Sequence, residues 1–171
     1  MHKNSQKRYY IRGAVYFITT VTKERYKYFC DEIFVHVLVE QIYFAQQLLQ
    51  FQLYAYAIMP DHVHLLIQPH DGYNYSKIMF SIKKQFSHNA NRVMGYNPFP
   101  DYENDEMNIK LQHYRDKFLK KYPSTCPYPR FLWQKSFHDH IIQNNHDFHN
   151  HVGYILHQNK KHGTHGVIWV E

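Results

Sequence analysis

Two apolar runs, Phe51-Gln-Leu-Tyr-Ala-Tyr-Ala-Ile-Met59 and His62-Val-His-Leu-Leu-Ile-Gln68, are separated only by Pro60-Asp61. No other feature constrains the fold as strongly. A connection this short returns the chain antiparallel, because a parallel partner needs a crossover of roughly a dozen residues or more. The centre of the chain is therefore expected to be a hairpin of two strands. Side chains two apart on a strand share a face, so His62 and His64 project together while Val63 points the other way.

The flanking segments extend this hairpin. Ala14 to Thr22 is β-branched and aromatic and reads as a buried strand after a turn at Gly13. Asp31 has the chemistry of an N-cap, and Phe34, Val35, Leu38, Val39, Ile42 and Leu49 follow at helical spacing, which predicts a helix over 31–49. A second helix is expected from Tyr75 to about Val93. Strand, helix, strand, strand, helix is the split βαβ order of ferredoxin-like sheets, so the expected class is α+β with helices packed on an antiparallel sheet. From about 95 to 130 the chain changes character. Pro98, Pro100, Pro123, Pro127 and Pro129 interrupt charged clusters, and only Met107 to Lys121 reads as a short charged helix. This stretch is taken as an insertion or lid within one domain spanning 1–171. Beyond it, Phe131 to Ile142 contains a strand, Asn145 to Gln158 reads as a helix, and Val167 to Val170 as an edge strand.

Composition narrows the partners. The 171 residues carry a formal charge of +6 with a pI near 9.2, which favours a polyanion through phosphate contact and counterion release. The aromatic share of 18%, with 16 Tyr and 12 Phe, provides faces on which unpaired bases can stack, although most of these rings are expected to pack. Cys30 and Cys126 have no metal-type spacing and read as free thiols of a reducing compartment. No apolar run approaches the roughly 20 residues of a membrane span, and Met1 to Arg12 does not read as a signal peptide, so the expected location is cytoplasmic.

Several residues carry chemistry. His62 and His64 can reach one ion from a shared face, and imidazole suits divalent transition metals. The alternative is a pair of surface or core histidines. Tyr154 and Gln158 fall four apart on one helical face. A tyrosine can form a covalent intermediate, and an amide oxygen can serve as a third ligand. Arg8, Arg12, Lys83 and Lys84 are suitable phosphate contacts, and Trp133 or Phe137 can stack on bases. His138 and His140 repeat the His-x-His spacing without a comparable turn and are read as structural.

Tyr56-Ala-Ile-Met-Pro-Asp-His-Val-His-Leu-Leu-Ile67 resembles the central motif of the one-tyrosine HUH transposases, named for His-hydrophobic-His. Arg8 to Thr20 is similar to that family's first strand, and Ile82-Lys-Lys-Gln-Phe86 to its basic helix. Trp133-Gln-Lys-Ser-Phe-His-Asp-His140, His151-Val-Gly-Tyr-Ile155 and Lys161-His-Gly163 look like the C-terminal signature of the REP-associated tyrosine transposases. One departure is Gln158-Asn-Lys-Lys-His-Gly163, which lacks that branch's proline. The resemblance implies metal-dependent cutting and rejoining of single-stranded DNA with hairpin structure, using Mg2+ or Mn2+. By it, His62, His64 and Gln158 are metal ligands and Tyr154 is the nucleophile that forms a 5′-phosphotyrosine link. It also implies a monomer, or a homodimer exchanging the tyrosine helix. A non-cutting, domesticated hairpin binder is the alternative. A relaxase-type nickase fits less well, because there the tyrosine precedes the histidines.

Overall fold

The computed structural model describes residues 7–99, 106–158 and 166–171. The Lys161-His-Gly163 motif lies outside them. Strands β1 (Tyr16–Val21), β2 (Gln52–Met59), β3 (His62–Gln68), β4 (His138–Ile141) and β5 (Val167–Val170) and helices α1 (Glu32–Leu49), α2 (Tyr75–Met94), α3 (Glu106–Lys121) and α4 (Asn145–Leu156) follow in the order β1-α1-β2-β3-α2-α3-β4-α4-β5. The sheet order is β4-β1-β3-β2-β5, with every pair antiparallel. This is the ferredoxin-like arrangement, extended by β5 at one edge.

Local chemistry accounts for the elements. The Asp31 carboxylate accepts from the Ile33 amide and caps α1, and Asn74 does the same for α2 from Lys77. Helix α2 stops at Gly95, whose φ of +88° suits a residue without Cβ. A side chain there would also meet the Arg115 guanidinium at 2.8 Å. The hairpin turn is pinned from outside: the Thr22 amide donates to the Asp61 carbonyl at 2.9 Å and the Phe29 amide to the Pro60 carbonyl at 3.0 Å.

The sheet has two unlike faces. Tyr16, Ile18, Leu53, Tyr56, Ile58, Val63, Leu65 and Ile67 meet α1 and α2 in the main core. Phe131 sits at the centre of an aromatic cluster there, with ring centroids 4.6 Å from Tyr28, 4.7 Å from Phe86 and 5.0 Å from Trp133. The buried Asn91 amide brackets Phe131, accepting from its backbone N–H and donating to its carbonyl. On the other face Ala55, Ala57, Met59 and Leu66 meet Ile155 of α4. The register slips between Leu53 and Ala55, and this bulge turns the small Ala55 and Ala57 toward α4 while keeping Leu53, Tyr56 and Ile58 in the main core.

The region from 95 to 130 is a buttress where it is described. Helix α3 packs on α1 and α2, with Leu111 and Phe118 in the main core. It therefore lies on the opposite side of the sheet from His62 and His64, and it does not cover them. Lys121 pairs with Asp31 at 3.1 Å, and the Tyr122 and Tyr128 hydroxyls donate to the same carboxylate. Burial favours the neutral acid at Asp31, but Tyr122, the Ile33 amide and Lys121 more than offset it and hold the carboxyl below its ordinary value. No helix among the described residues is long and apolar enough to cross a membrane.

Candidate active site

His62 and His64 emerge from the start of β3 on the face that α4 covers. Their rings are 4.9 Å apart and nearly perpendicular. Each is held at Nδ1. Asp61 Oδ1 lies 2.5 Å from His62 Nδ1, and Thr19 Oγ1 lies 2.8 Å from His64 Nδ1. With Nδ1 engaged in this way, Nε2 is the nitrogen each ring presents to a ligand, the arrangement in which an outer partner fixes the tautomer and aim of a metal-binding histidine. Asp61 also accepts from Arg25 at 3.2 Å. Burial raises its carboxyl, but the His62 contact and Arg25 prevail and keep it below the ordinary value, hence ionised.

Helix α4 brings the tyrosine to this pair. Asn144 caps it, accepting from the Asp147 amide, and Ile155 is fully buried against the sheet. Tyr154, the residue before that anchor, is 38% exposed, so its ring is open to a large ligand. The ring stands edge-on to His64 with centroids 5.3 Å apart. Phe17 of β1 stacks on His64 at 5.2 Å and meets Tyr154 edge-on at 5.8 Å, so it packs against both.

Gln158 is one turn beyond Tyr154 and 1% exposed. Its Nε2 donates to the Tyr154 carbonyl at 3.0 Å, while no donor among the described residues reaches its Oε1. A buried carbonyl oxygen without a donor costs about 1–3 kcal/mol, a cost that a cation removes. Imidazole Nε2 atoms and a buried amide oxygen without a donor are ligand types that suit a hard or borderline divalent cation.

The chain matches the profile of the family described as "Transposase IS200 like" over residues 11–98. It belongs to that family. A Haemophilus influenzae protein assigned as a REP-associated tyrosine transposase is 26% identical over 166 residues, covering 96% of this chain and 81% of that protein. The REP-associated tyrosine transposase of Escherichia coli K12 is 25% identical over 158 residues, covering 92% and 73%. The solved structure of a REP-associated tyrosine transposase bound to a REP hairpin has the same fold. Its TM-score is 0.60 at 22% identity, and the match covers 94% of this chain and 75% of that one.

In this IS200-like transposase the basic and aromatic residues singled out in the sequence fall into two groups. Lys84 and Arg12 are exposed, and Arg12 pairs with Asp71. Arg8, Lys83 and Trp133 instead hold the segment before β4. The Lys83 ammonium donates to the Gln134 and Ser136 carbonyls, and the Trp133 indole N–H donates to the Lys83 carbonyl. Arg8 lies 3.6 Å above the Phe137 ring and beside Asp139. Burial, with Arg8 nearby, pushes the Lys83 ammonium down to about 8.

Sequence reasoning took Asp61 as a turn residue and passed over Thr19 and Phe17. The step from Asp61 to His62 is visible in the sequence, since a carboxylate next to a candidate ligand is a ready partner. The pairing of Thr19 with His64 depends on strand register, which no local pattern supplies.

Proposed function

We propose that this transposase is a metal-dependent endonuclease and strand transferase for single-stranded DNA with hairpin structure. Tyr154 is the nucleophile, and His62, His64 and Gln158 hold a divalent cation, Mg2+ or Mn2+. The observation that carries the reading is the seat of Tyr154, an exposed phenol held edge-on to His64 by a helix anchored on the same face.

A cation bound to that set supplies positive charge to a phosphate oxygen and makes phosphorus easier to attack. Asp61 and Thr19 keep the two imidazoles aimed, so little reorganisation is needed during reaction. Phe17 keeps the phenol and His64 in register. Tyr154 Oη attacks phosphorus, and the bond from phosphorus to the 3′ oxygen breaks. The phenolic proton passes to solvent and the departing 3′ oxygen takes one up. The product is a 5′-phosphotyrosine and a free 3′-hydroxyl. A second 3′-hydroxyl can reverse the reaction, because the phosphoester energy is retained.

A hairpin ligand is supported by the solved neighbour that is bound to a REP hairpin. Lys84 and Arg12 are the exposed cations proposed to meet phosphates. Arg8, Lys83 and Trp133 would contribute through the segment they hold. One copy carries both Tyr154 and the His64 ring it meets, which favours a monomer acting in cis over a homodimer with exchanged helices.

The test is a denaturing gel of labelled single strands from the sequence flanking the gene, incubated with wild type or Tyr154→Phe and with Mg2+, Mn2+ or EDTA. A metal-dependent covalent adduct is expected with wild type alone. Tight binding without an adduct from any strand would favour the non-cutting hairpin binder, and an adduct in Tyr154→Phe would mean another nucleophile.

A further inference from the structure

Three more ligand-type side chains converge on the same face of the sheet, at its β4 edge. His140 Nε2 lies 2.9 Å from one oxygen of Asp147, and His151 Nδ1 lies 3.0 Å from the other. The two imidazoles are stacked, 4.7 Å apart and tilted by 21°. One donor atom from each residue falls within 4.8 Å of the others. A tetrahedral ion bonded at about 2.1 Å holds its ligand atoms roughly 3.4 Å apart, so these contacts, now at hydrogen-bond length, need to open by only about half an ångström to admit one.

The carboxylate is prepared for a cation. The Gln143 amide donates to it at 3.0 Å and, with His140, holds its carboxyl below the ordinary value. Among the described residues its ion-pair partners are these two histidines, so no lysine or arginine competes. His140 is 45% exposed at its side chain and leaves an entry path, while Asp147 and His151 are more enclosed. Asp147 and His151 are four apart on α4, the spacing that lets two helical residues reach one ion. Phe17 separates this group from the first, with its ring 4.6 Å from His151 and 5.2 Å from His64.

We infer that His140, Asp147 and His151 form a second divalent-metal site of the zinc or cobalt class, which ties α4 to β4. Two imidazoles and one carboxylate suit such ions. The carboxylate also gives this set a negative charge that two imidazoles and an amide lack. Without metal, His151 Nδ1–H donates to the Asp147 carbonyl at 2.9 Å, so binding through Nδ1 requires the tautomer with its proton on Nε2. Tyr154 is one turn beyond His151, and an ion at this site fixes the pose of the tyrosine helix. That consequence rests on the role proposed for Tyr154, whereas the binding does not.

The experiment titrates the full chain with Co2+, reading visible absorption. It uses the double variant His62→Ala/His64→Ala, so that only the second site is observed. One saturating equivalent with d–d bands is expected. Adding His140→Ala, or the isosteric Asp147→Asn, should weaken uptake by at least about 100-fold, beyond the usual loss for an outer-shell change. No saturable uptake in the double variant would overturn the site. So would uptake that survives both further changes, because it would belong to scattered surface histidines. Whether Tyr154 forms an adduct is read separately on the gel, so either idea can fail alone.

Discussion

The two faces of the sheet obey different rules. The helical face buries Tyr, Phe, Ile and Leu side chains under three of the described helices, and key polar groups there are matched: Asn91 to the Phe131 backbone, Asp31 to Tyr122 and Lys121. Among the described residues, the histidine face has one short helix with a single buried residue, Ile155, over a smaller apolar cluster, and ligand-type side chains beside it. Stability concentrates where groups are sealed and paired. Chemistry concentrates where ligand-type groups lie beside an exposed nucleophile: His64 is buried while Tyr154 stays open to solvent. The contrast teaches that changes on the first face should read out as unfolding and changes on the second as lost binding or cleavage.

The sharpest way to break that contrast is Phe131→Ala, which empties the centre of the aromatic cluster. It should cost about 3–5 kcal/mol of stability in denaturant unfolding, with metal affinity unchanged in the protein that remains folded. A small loss would mean that the helical face is not the main stabilising core.

Next in size is Asp31→Asn. Its carboxyl is held below the ordinary value of 3.8, so the stability it contributes is present above that pH and is lost as pH falls through the lower folded-state value. Asparagine still caps α1 but cannot pair with Lys121, and a loss of about 1–2 kcal/mol at pH 7 is expected. Thermal melts of the two proteins should converge as pH falls below that range. A gap that is independent of pH would place the effect elsewhere.

The smallest change sharpens the other side. Thr19→Val keeps the volume and removes the partner of His64 Nδ1. Mn2+ affinity, measured by calorimetry, should fall about 10-fold with little change in melting temperature. A fall in melting temperature with intact affinity would make Thr19 a core residue of the wrong face.

Much of this was legible in the sequence. The hairpin, the Asp31 cap and the strand at Val167–Val170 are local features, written in turn chemistry and periodicity. The only partly alternating run Phe51–Met59 has its explanation in the bulge: Leu53 and the pair Tyr56 and Ile58 are out of phase in sequence yet meet one core. Other features depended on register or on distant contacts. His138 and His140 read as structural repeats of a common spacing, yet β4 sets them opposite Thr19 and Phe17, on the same face as His64. His140 then meets Asp147 and His151 from a different element. The basic residues near Trp133 read as phosphate contacts because composition cannot reveal that Lys83 is occupied by two backbone carbonyls.

The sheet ends on each side in a four-residue strand, β4 or β5, while the longest strand, β2, lies just inside. Unpaired edge backbone is a template for intermolecular pairing, and short edges limit it. In a chain this rich in aromatic and β-branched residues, that arrangement bears on colloidal behaviour. Trimming residues 167–170 would remove no proposed ligand or nucleophile, yet it would bare part of β2, with Tyr56 and Ile58 within it, to other copies of the chain. The last strand is thus a guard against aggregation as much as part of the fold.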